Sequence, residues 1–406
     1  MVISNLRIED NDDGKSYLIA DLECGFSDVK NLWFSVDSKH RDWLTADIYD
    51  AFLIEALYPA HFYNEEIIIK GKVSPKIWRS VRDLLPAILA DFLETPKNLQ
   101  GRIFVDGVQE CSLATVRHVG TGFSGGVDSF CTIKDHLIDE TDPEYKLDTL
   151  FFFNIGQNGN VKIPETYQRA LGRWEHNKRV AKELNLNCVM MDTNMFDLYQ
   201  PHWEYDAGIL CRLSSVLVFQ RILSKYYISS SYTYGETIDF NEHAHHELAH
   251  FSDLYISTLL SPANTEIVID GAQYKRWEKI NRIVDLPIAQ RNLNVCVNNE
   301  AEYVGQNCSY CEKCLRTLFA LEALGKLDEF SSVFDIKKYR SVSMNYKLTL
   351  VQYGKEKKII PTHANYVLAL ERGVNLPSDF RTSMYFTNKK FRHFVYRVLR
   401  KLHICK

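Results

Sequence analysis

Two stretches hold the residue types from which chemistry can be built. The first, SGGVDS at residues 124–129, sets glycines and serines around Asp128, behind the apolar run TVRHVGTGF and ahead of a helical pattern. Small residues after a strand let the backbone itself approach a ligand, and the N–H groups that open the next helix favour an anion. On this reading Gly125, Gly126 and Val127 give main-chain donors and Ser124 and Ser129 give hydroxyls, together a phosphate cradle. The lysine of G-x-x-x-x-G-K-[ST] is missing, its place being taken by Gly126. Asp128 stands near it, which makes sense if it holds Mg²⁺ against a polyphosphate. The plain alternative is a glycine turn closing a strand.

The second stretch, CVNNEAEYVGQNCSYCEKCLRT, sets Cys308, Cys311 and Cys314 in a C-x2-C-x2-C array, with Cys296 upstream. Two-residue spacings return thiolates to one ion, and a distant fourth closes a tetrahedral sulfur shell, the usual arrangement of structural Zn²⁺. Iron–sulfur clusters also use closely spaced cysteines, and buried thiols without metal are a third reading. The other cysteines, Cys24, Cys111, Cys131, Cys188, Cys211 and Cys405, are scattered. Clustering of this kind points to metal and away from disulfides.

Several weaker signals surround these two. In DGAQYKRWEKINR, Arg276, Lys279 and Arg282 fall on one helix and would supply cations to a leaving pyrophosphate, the alternative being an exposed charged helix. The run EHAHHE at residues 242–247 has three histidines, and Glu236 and Asp239 are further carboxylates for magnesium. In NKKFRHFVYRVLRKLHICK, Phe391, Phe394, Val395, Val398, Leu399 and Leu402 share a helical face opposite Lys389, Lys390, Arg392, Arg397, Arg400 and Lys401. Such a basic amphipathic helix lies on an anionic surface, meets an acidic partner, or docks on its own protein.

S-G-G-x-D-S after a strand resembles the pyrophosphate loop of the PP-loop ATP pyrophosphatase superfamily, whose members cleave ATP between the α and β phosphates and adenylate a substrate oxygen. With C-x2-C-x2-C near the end of the same region, residues 115–325 resemble 7-cyano-7-deazaguanine synthase. That family uses ATP and ammonia to turn 7-carboxy-7-deazaguanine into a nitrile, through an adenylate and then an amide. The resemblance implies an α/β fold with a doubly wound parallel sheet of HUP-like type, ATP and Mg²⁺ at residues 124–129, and Zn²⁺ at the four cysteines. Gly156 and Gln157 of NIGQNGN match a further family segment. The family's proline–glycine–arginine–asparagine segment has no counterpart; the nearest region reads SYTYGETIDFNEHAHHE.

The elements that must position these residues can be read from hydrophobic spacing. The runs TVRHVGTGF, LDTLFFFNI, NCVMMDT, YYISSSY and TEIVIDG predict strands, and helical patterns at 128–138, 164–184 and 207–224 separate them. That alternation predicts a parallel sheet covered by helices. Residues 1–114 read as an accessory α+β module with strands KSYLIADLEC, NLWFSVD and EEIIIKGKV and a helical stretch IWRSVRDLLPAILADFL. Residues 115–330 make the PP-loop domain stapled by zinc, and residues 331–406 an extension.

The chain has 406 residues, is 46% hydrophobic and 25% charged, and has a formal net charge of −4. These values fit a globular protein and exclude a surface that is basic throughout. No run approaches the roughly eighteen apolar residues of a membrane span, and the start MVISNLRIEDNDDGK has no secretory layout, so a cytoplasmic protein is expected. The expected activity is AMP-forming C–N ligation: ATP adenylates a small carboxylate, deazapurine-like, and ammonia or an amine displaces AMP. A variant joins the deazapurine to a protein or nucleic-acid acceptor, as relatives in phage defence imply; a homodimer is also expected. The alternatives are a nucleotide-sensing module without turnover and a tRNA-thiolating enzyme, which needs a reactive thiol among Cys131, Cys188 and Cys211.

Overall fold

The computed structural model of the protein describes residues 1–92, 99–156, 159–199, 208–237, 255–298, 306–356 and 360–388. The chain forms two compact units, Met1–Gln273 and Tyr274–Lys406. In the first, β1 (Val2–Asp10), β2 (Lys15–Glu23), β3 (Asn31–Asp37), β4 (Ile67–Val73) and β5 (Ile103–Val108) precede β6 (His118–Gly122), β7 (Thr149–Asn154), β8 (Asn187–Thr193), β9 (Leu223–Ser229) and β10 (Glu266–Asp270). All belong to one ten-stranded sheet, ordered β10-β9-β6-β7-β8-β3-β2-β1-β4-β5.

The fold is α/β with a mixed, mostly parallel sheet: β6 to β10, where a parallel sheet is expected, all pair parallel with one another, and the antiparallel pairs all involve the front strands β1 to β3. The cause is local. A tight turn, with Gly14 at φ +78° and the Asn11 N–H bonded to the Lys15 carbonyl at 3.0 Å, returns β2 beside β1. β3 continues antiparallel and then pairs antiparallel with β8, Ser35 opposite Asp192 and Val36 opposite Met191. The sheet therefore runs on across residue 114, and a single apolar core holds Phe34, Phe52 and Ile69 together with Val189, Met191 and Leu213.

From β6 the chain moves outward through β7 to β8, then returns to the other side of β6 for β9 and β10, all parallel. Strand order reverses at β6, the switch point at whose carboxyl end open α/β sheets bind ligands. Helices lie on both faces: α4 (Val127–Ile133), extended by a π-helical turn at Lys134–Ile138, α5 (Pro164–Leu184) and α6 (Gly208–Leu217). Alternation along β7 separates them. Phe152 stacks on Trp174 of α5 at 6.4 Å, while Phe151 and Phe153 pack on Phe219 beyond α6 at 4.9 and 6.0 Å.

Among the front helices, α1 (Asp50–Tyr63) is buried nearly all round, and α2 (Pro75–Asp83) and α3 (Leu85–Phe92) replace the single helix read from IWRSVRDLLPAILADFL. Pro59 inside α1 has no N–H to give the Glu55 carbonyl one turn back. The Tyr199 hydroxyl donates to that carbonyl instead, at 3.0 Å, with its ring stacked on Tyr58.

The second unit is helical: α7 (Arg276–Ile283), α8 (Pro287–Asn292), α9 (Glu312–Ala323), α10 (Ile336–Tyr353) and α11 (Ile360–Glu371). Phe319, Tyr346, Leu350 and Ala369 form a core among the last three helices. Asn365 ties them, donating to the Arg316 carbonyl and the Tyr346 hydroxyl, each at 2.9 Å. Among the described residues no helix is long and apolar enough to cross a membrane.

Candidate functional site

Residues 124–129 form the turn from β6 into α4, at the carboxyl end of the switch-point strand. The turn is anchored before it begins: the Phe123 N–H bonds the Phe151 carbonyl at 2.9 Å, and buried Asn177 of α5 donates to the Phe123 carbonyl at 2.7 Å. Gly125 then takes φ +74°, a left-handed bend that costs a side-chain-bearing residue about 1–2 kcal/mol. Gly126 caps α4 in extended conformation and has no side chain of its own to bond the helix start. The Ser124 Oγ accepts from the Gly126 N–H at 3.3 Å, and the buried Ser129 hydroxyl donates to the Gly126 carbonyl at 3.0 Å. Ser124 is exposed and Asp128 half-buried.

Polar groups that were not singled out from the sequence flank the turn on both sides. At the ends of β9 and β10, Thr132 of α4 donates to Asp270 Oδ2 at 2.5 Å, and His136 Nε2 meets Asp270 Oδ1 at 2.9 Å. The Thr132 and Ser229 hydroxyls lie 2.8 Å apart, and the His136 ring stacks on Tyr227 at 3.6 Å. At the ends of β7 and β8, buried Asp192 accepts from Asn154 Nδ2 at 2.8 Å and from the Tyr167 hydroxyl and Lys15 Nζ at 2.7 Å each. The sequence carries one faint sign of these groups. Asn154, Asp192, Ser229 and Asp270 each stand at or beside the close of an apolar strand run, where open α/β sheets present their ligands.

Gly156 lies just beyond β7 at φ +99°, where a Cβ would stand 3.1 Å from the Phe196 ring; Gln157 falls outside the described residues. Arg276 and Lys279 belong to α7 of the second unit. Lys279 is 1% exposed, so α7 is not a helix with all its charges in solvent. Arg276 is half-buried, and Arg282 lies over the Tyr274 ring at 4.7 Å. Glu236 accepts from the Thr233 N–H at 2.8 Å, a local turn contact. Asp239, the histidine run 242–247 and the basic segment 389–406 lie outside the described residues.

The second unit brings Cys296, Cys308, Cys311 and Cys314 together, all four sulfurs within 4.8 Å of one another. Cys296 and Cys311 are 3.9 Å apart, as are Cys308 and Cys314. A tetrahedral shell with Zn–S bonds of about 2.3 Å has sulfurs roughly 3.8 Å apart, so the cluster can bind one metal ion. Main-chain N–H groups of Asn298 and Cys308 point at Cys296 Sγ (3.3 and 3.4 Å), and that of Cys311 at Cys308 Sγ (3.3 Å). Asn307 braces the knuckle, donating to the Leu293 and Val333 carbonyls and accepting from Val295 N–H at 2.9 Å. The Cys311 thiol is held well below its ordinary value, chiefly by the hydrogen bond from Cys314, while burial raises Cys296.

The three thiols that thiolation could use have a different environment. Cys131 is 1% exposed, and burial lifts Cys188 to about 12 and Cys211 well above the ordinary thiol value. No protein-family model matches the chain, and none of the curated proteins matches it.

Proposed function

We propose that the protein is an AMP-forming enzyme of the PP-loop type, in which residues 124–129 hold the β and γ phosphates of ATP. One observation carries this reading: the SGGVDS turn leaves the switch-point strand with Gly125 in a left-handed bend and α4 opening at Gly126, which has no side chain. Main-chain N–H groups there would bind pyrophosphate oxygens, helped by the exposed Ser124 hydroxyl. Asp128 and the serine hydroxyls are hard oxygen donors of the kind Mg²⁺ takes, and the ion would offset phosphate charge.

A substrate carboxylate oxygen attacks the α phosphorus, the bond to the β-phosphate bridging oxygen breaks, and pyrophosphate leaves. An amine nitrogen then attacks the acyl carbon, loses a proton, and AMP departs. The chain's part is to bind and align: the turn fixes the leaving group, and the Asn154–Asp192 and Ser229–Asp270 flanks border the places for nucleoside and acceptor. The acceptor class is a small carboxylate of deazapurine type with ammonia, or the same group delivered to a macromolecule. The four cysteines hold a structural Zn²⁺ in this reading; sulfurs all within 4.8 Å suit one ion better than a cluster of several irons. The raised thiols of half-buried Cys188 and buried Cys211, and buried Cys131, speak against thiolation.

Incubating the protein with α-labelled ATP, a deazapurine carboxylate and ammonium is expected to release AMP and pyrophosphate. Asp128→Asn is expected to abolish that release, and Arg276→Ala and Lys279→Ala test the assignment of those cations. ADP as the sole product ends the reading. The missing proline–glycine–arginine–asparagine segment favours a second one, a nucleotide sensor, for which tight ATP binding without turnover of any substrate is the sign.

A further inference from the structure

We propose that Thr132, His136 and Asp270 are positioning residues that set the rotation of α4 about its axis and so aim Asp128 at the switch point. The inference rests on the nucleotide reading above. Asp128, Thr132 and His136 follow one another at four-residue steps along the helix that opens at Val127 and runs on through the π-helical turn. Residues so spaced share one face. Two of the three are fastened to the same buried carboxylate, Asp270 at the end of β10, through bonds of 2.5 and 2.9 Å. Bonds to a carboxylate in such surroundings are short and directional.

The fastening is itself braced. The His136 ring lies parallel to Tyr227 at 3.6 Å, and the Tyr227 hydroxyl donates to the Tyr145 carbonyl at 3.0 Å. Ser229 stands beside Thr132 at 2.8 Å. Turning α4 by one residue, about 100°, would break both bonds to Asp270 and carry Asp128 off the face that looks toward β9 and β10. Asp270 is thus a hub that ties the helix behind the phosphate turn to the strand on the far side of the switch point. Groups that orient a metal ligand without touching the metal typically change its affinity 10- to 100-fold.

The test is equilibrium binding of ATP to the full chain, with magnesium and with excess EDTA, for the wild type, Thr132→Val, His136→Leu and His136→Gln. Thr132→Val and His136→Leu are expected to lose at least about tenfold of the magnesium-dependent gain in affinity while keeping the metal-free affinity. His136→Gln, whose amide N–H can replace Nε2–H, is expected to recover most of that gain. If Thr132→Val and His136→Leu keep the gain, or lose affinity equally with and without magnesium, the positioning role is overturned. A wild-type chain with no magnesium-dependent ATP binding removes the nucleotide reading itself and this inference with it.

Discussion

At residues 124–129 the groups offered to a ligand are main-chain N–H groups and hydroxyls, whereas the second unit offers four side-chain thiols crowded within 4.8 Å. The two arrangements stand differently toward their ligands. The turn is held by the chain's own bonds, Asn177 to the Phe123 carbonyl and Ser129 to the Gly126 carbonyl, so its shape needs no ion. The thiols must become thiolates to bind metal, and as thiolates they repel one another unless a cation sits among them. Under the proposed nucleotide reading a cradle made of backbone is built before its ligand arrives, whereas a cluster made of like charges is completed by its metal ion.

The largest effect expected from that contrast is metal removal. The isolated protein should carry about one zinc per chain, and Cys308→Ser or chelation should unfold the knuckle and loosen α9, since structural zinc contributes roughly 10–16 kcal/mol in small domains. Metal analysis with hydrogen exchange checks this: α9 amides should lose protection while β6–β8 amides keep theirs. Retained protection in α9 without metal would break the comparison.

Glu55 gives the contrast a third case, a buried acid with no ion. Its carboxyl is 0% exposed, and neither oxygen finds a donor in hydrogen-bonding geometry, although the Tyr199 and Ser214 hydroxyls stand near enough to favour the ionised form slightly. Burial raises it from 4.5 to about 8, so the folded chain keeps a proton that the unfolded chain has released. Its contribution to stability is therefore unimpaired below pH 4.5 and declines as pH rises toward about 8, by roughly 1.4 kcal/mol per unit. Denaturant melts of Glu55→Gln across pH 5–9 should lack that decline; an unchanged slope would place the titration elsewhere.

Smaller effects separate the two sites further. Gly125→Ala at φ +74° should cost about 1–2 kcal/mol in a urea melt and should weaken ATP binding by more than that strain alone predicts, because the new methyl also stands at the cradle. Asp335→Ala removes the cap on α10, whose side chain accepts from the Lys338 N–H at 2.9 Å beside the cysteine knuckle. It should cost about 1 kcal/mol in thermal stability and leave zinc content unchanged, since the metal and not the cap completes that site.

Much of this was legible in the sequence where the signal is local. The cysteines announce themselves by spacing, and NCVMMDT and 164–184 coincide with β8 and α5 because each has a clear period and a clear stop, the latter at Asn185 in left-handed conformation. α1 was not legible: DAFLIEALYPAHFY is apolar all round and contains a proline, so it shows no stripe, which is how a helix buried on every side reads. Nor were the flanks of the turn. Lys15 and Asp192 are 177 residues apart and Thr132 and Asp270 are 138 apart, and only the sheet order brings them into contact.

The pairing of β3 with β8 bears on how the protein can be shortened. A chain begun at residue 115 would lay bare the margin of β8 along Met191, Asp192 and Thr193, uncover Val189 and Met191, and take Lys15 away from Asp192. An unpaired apolar margin of that kind invites strands from other molecules. Trimmed versions that stay dispersed in water should therefore be those that keep at least the first two hairpin arms and β3, whatever else they discard.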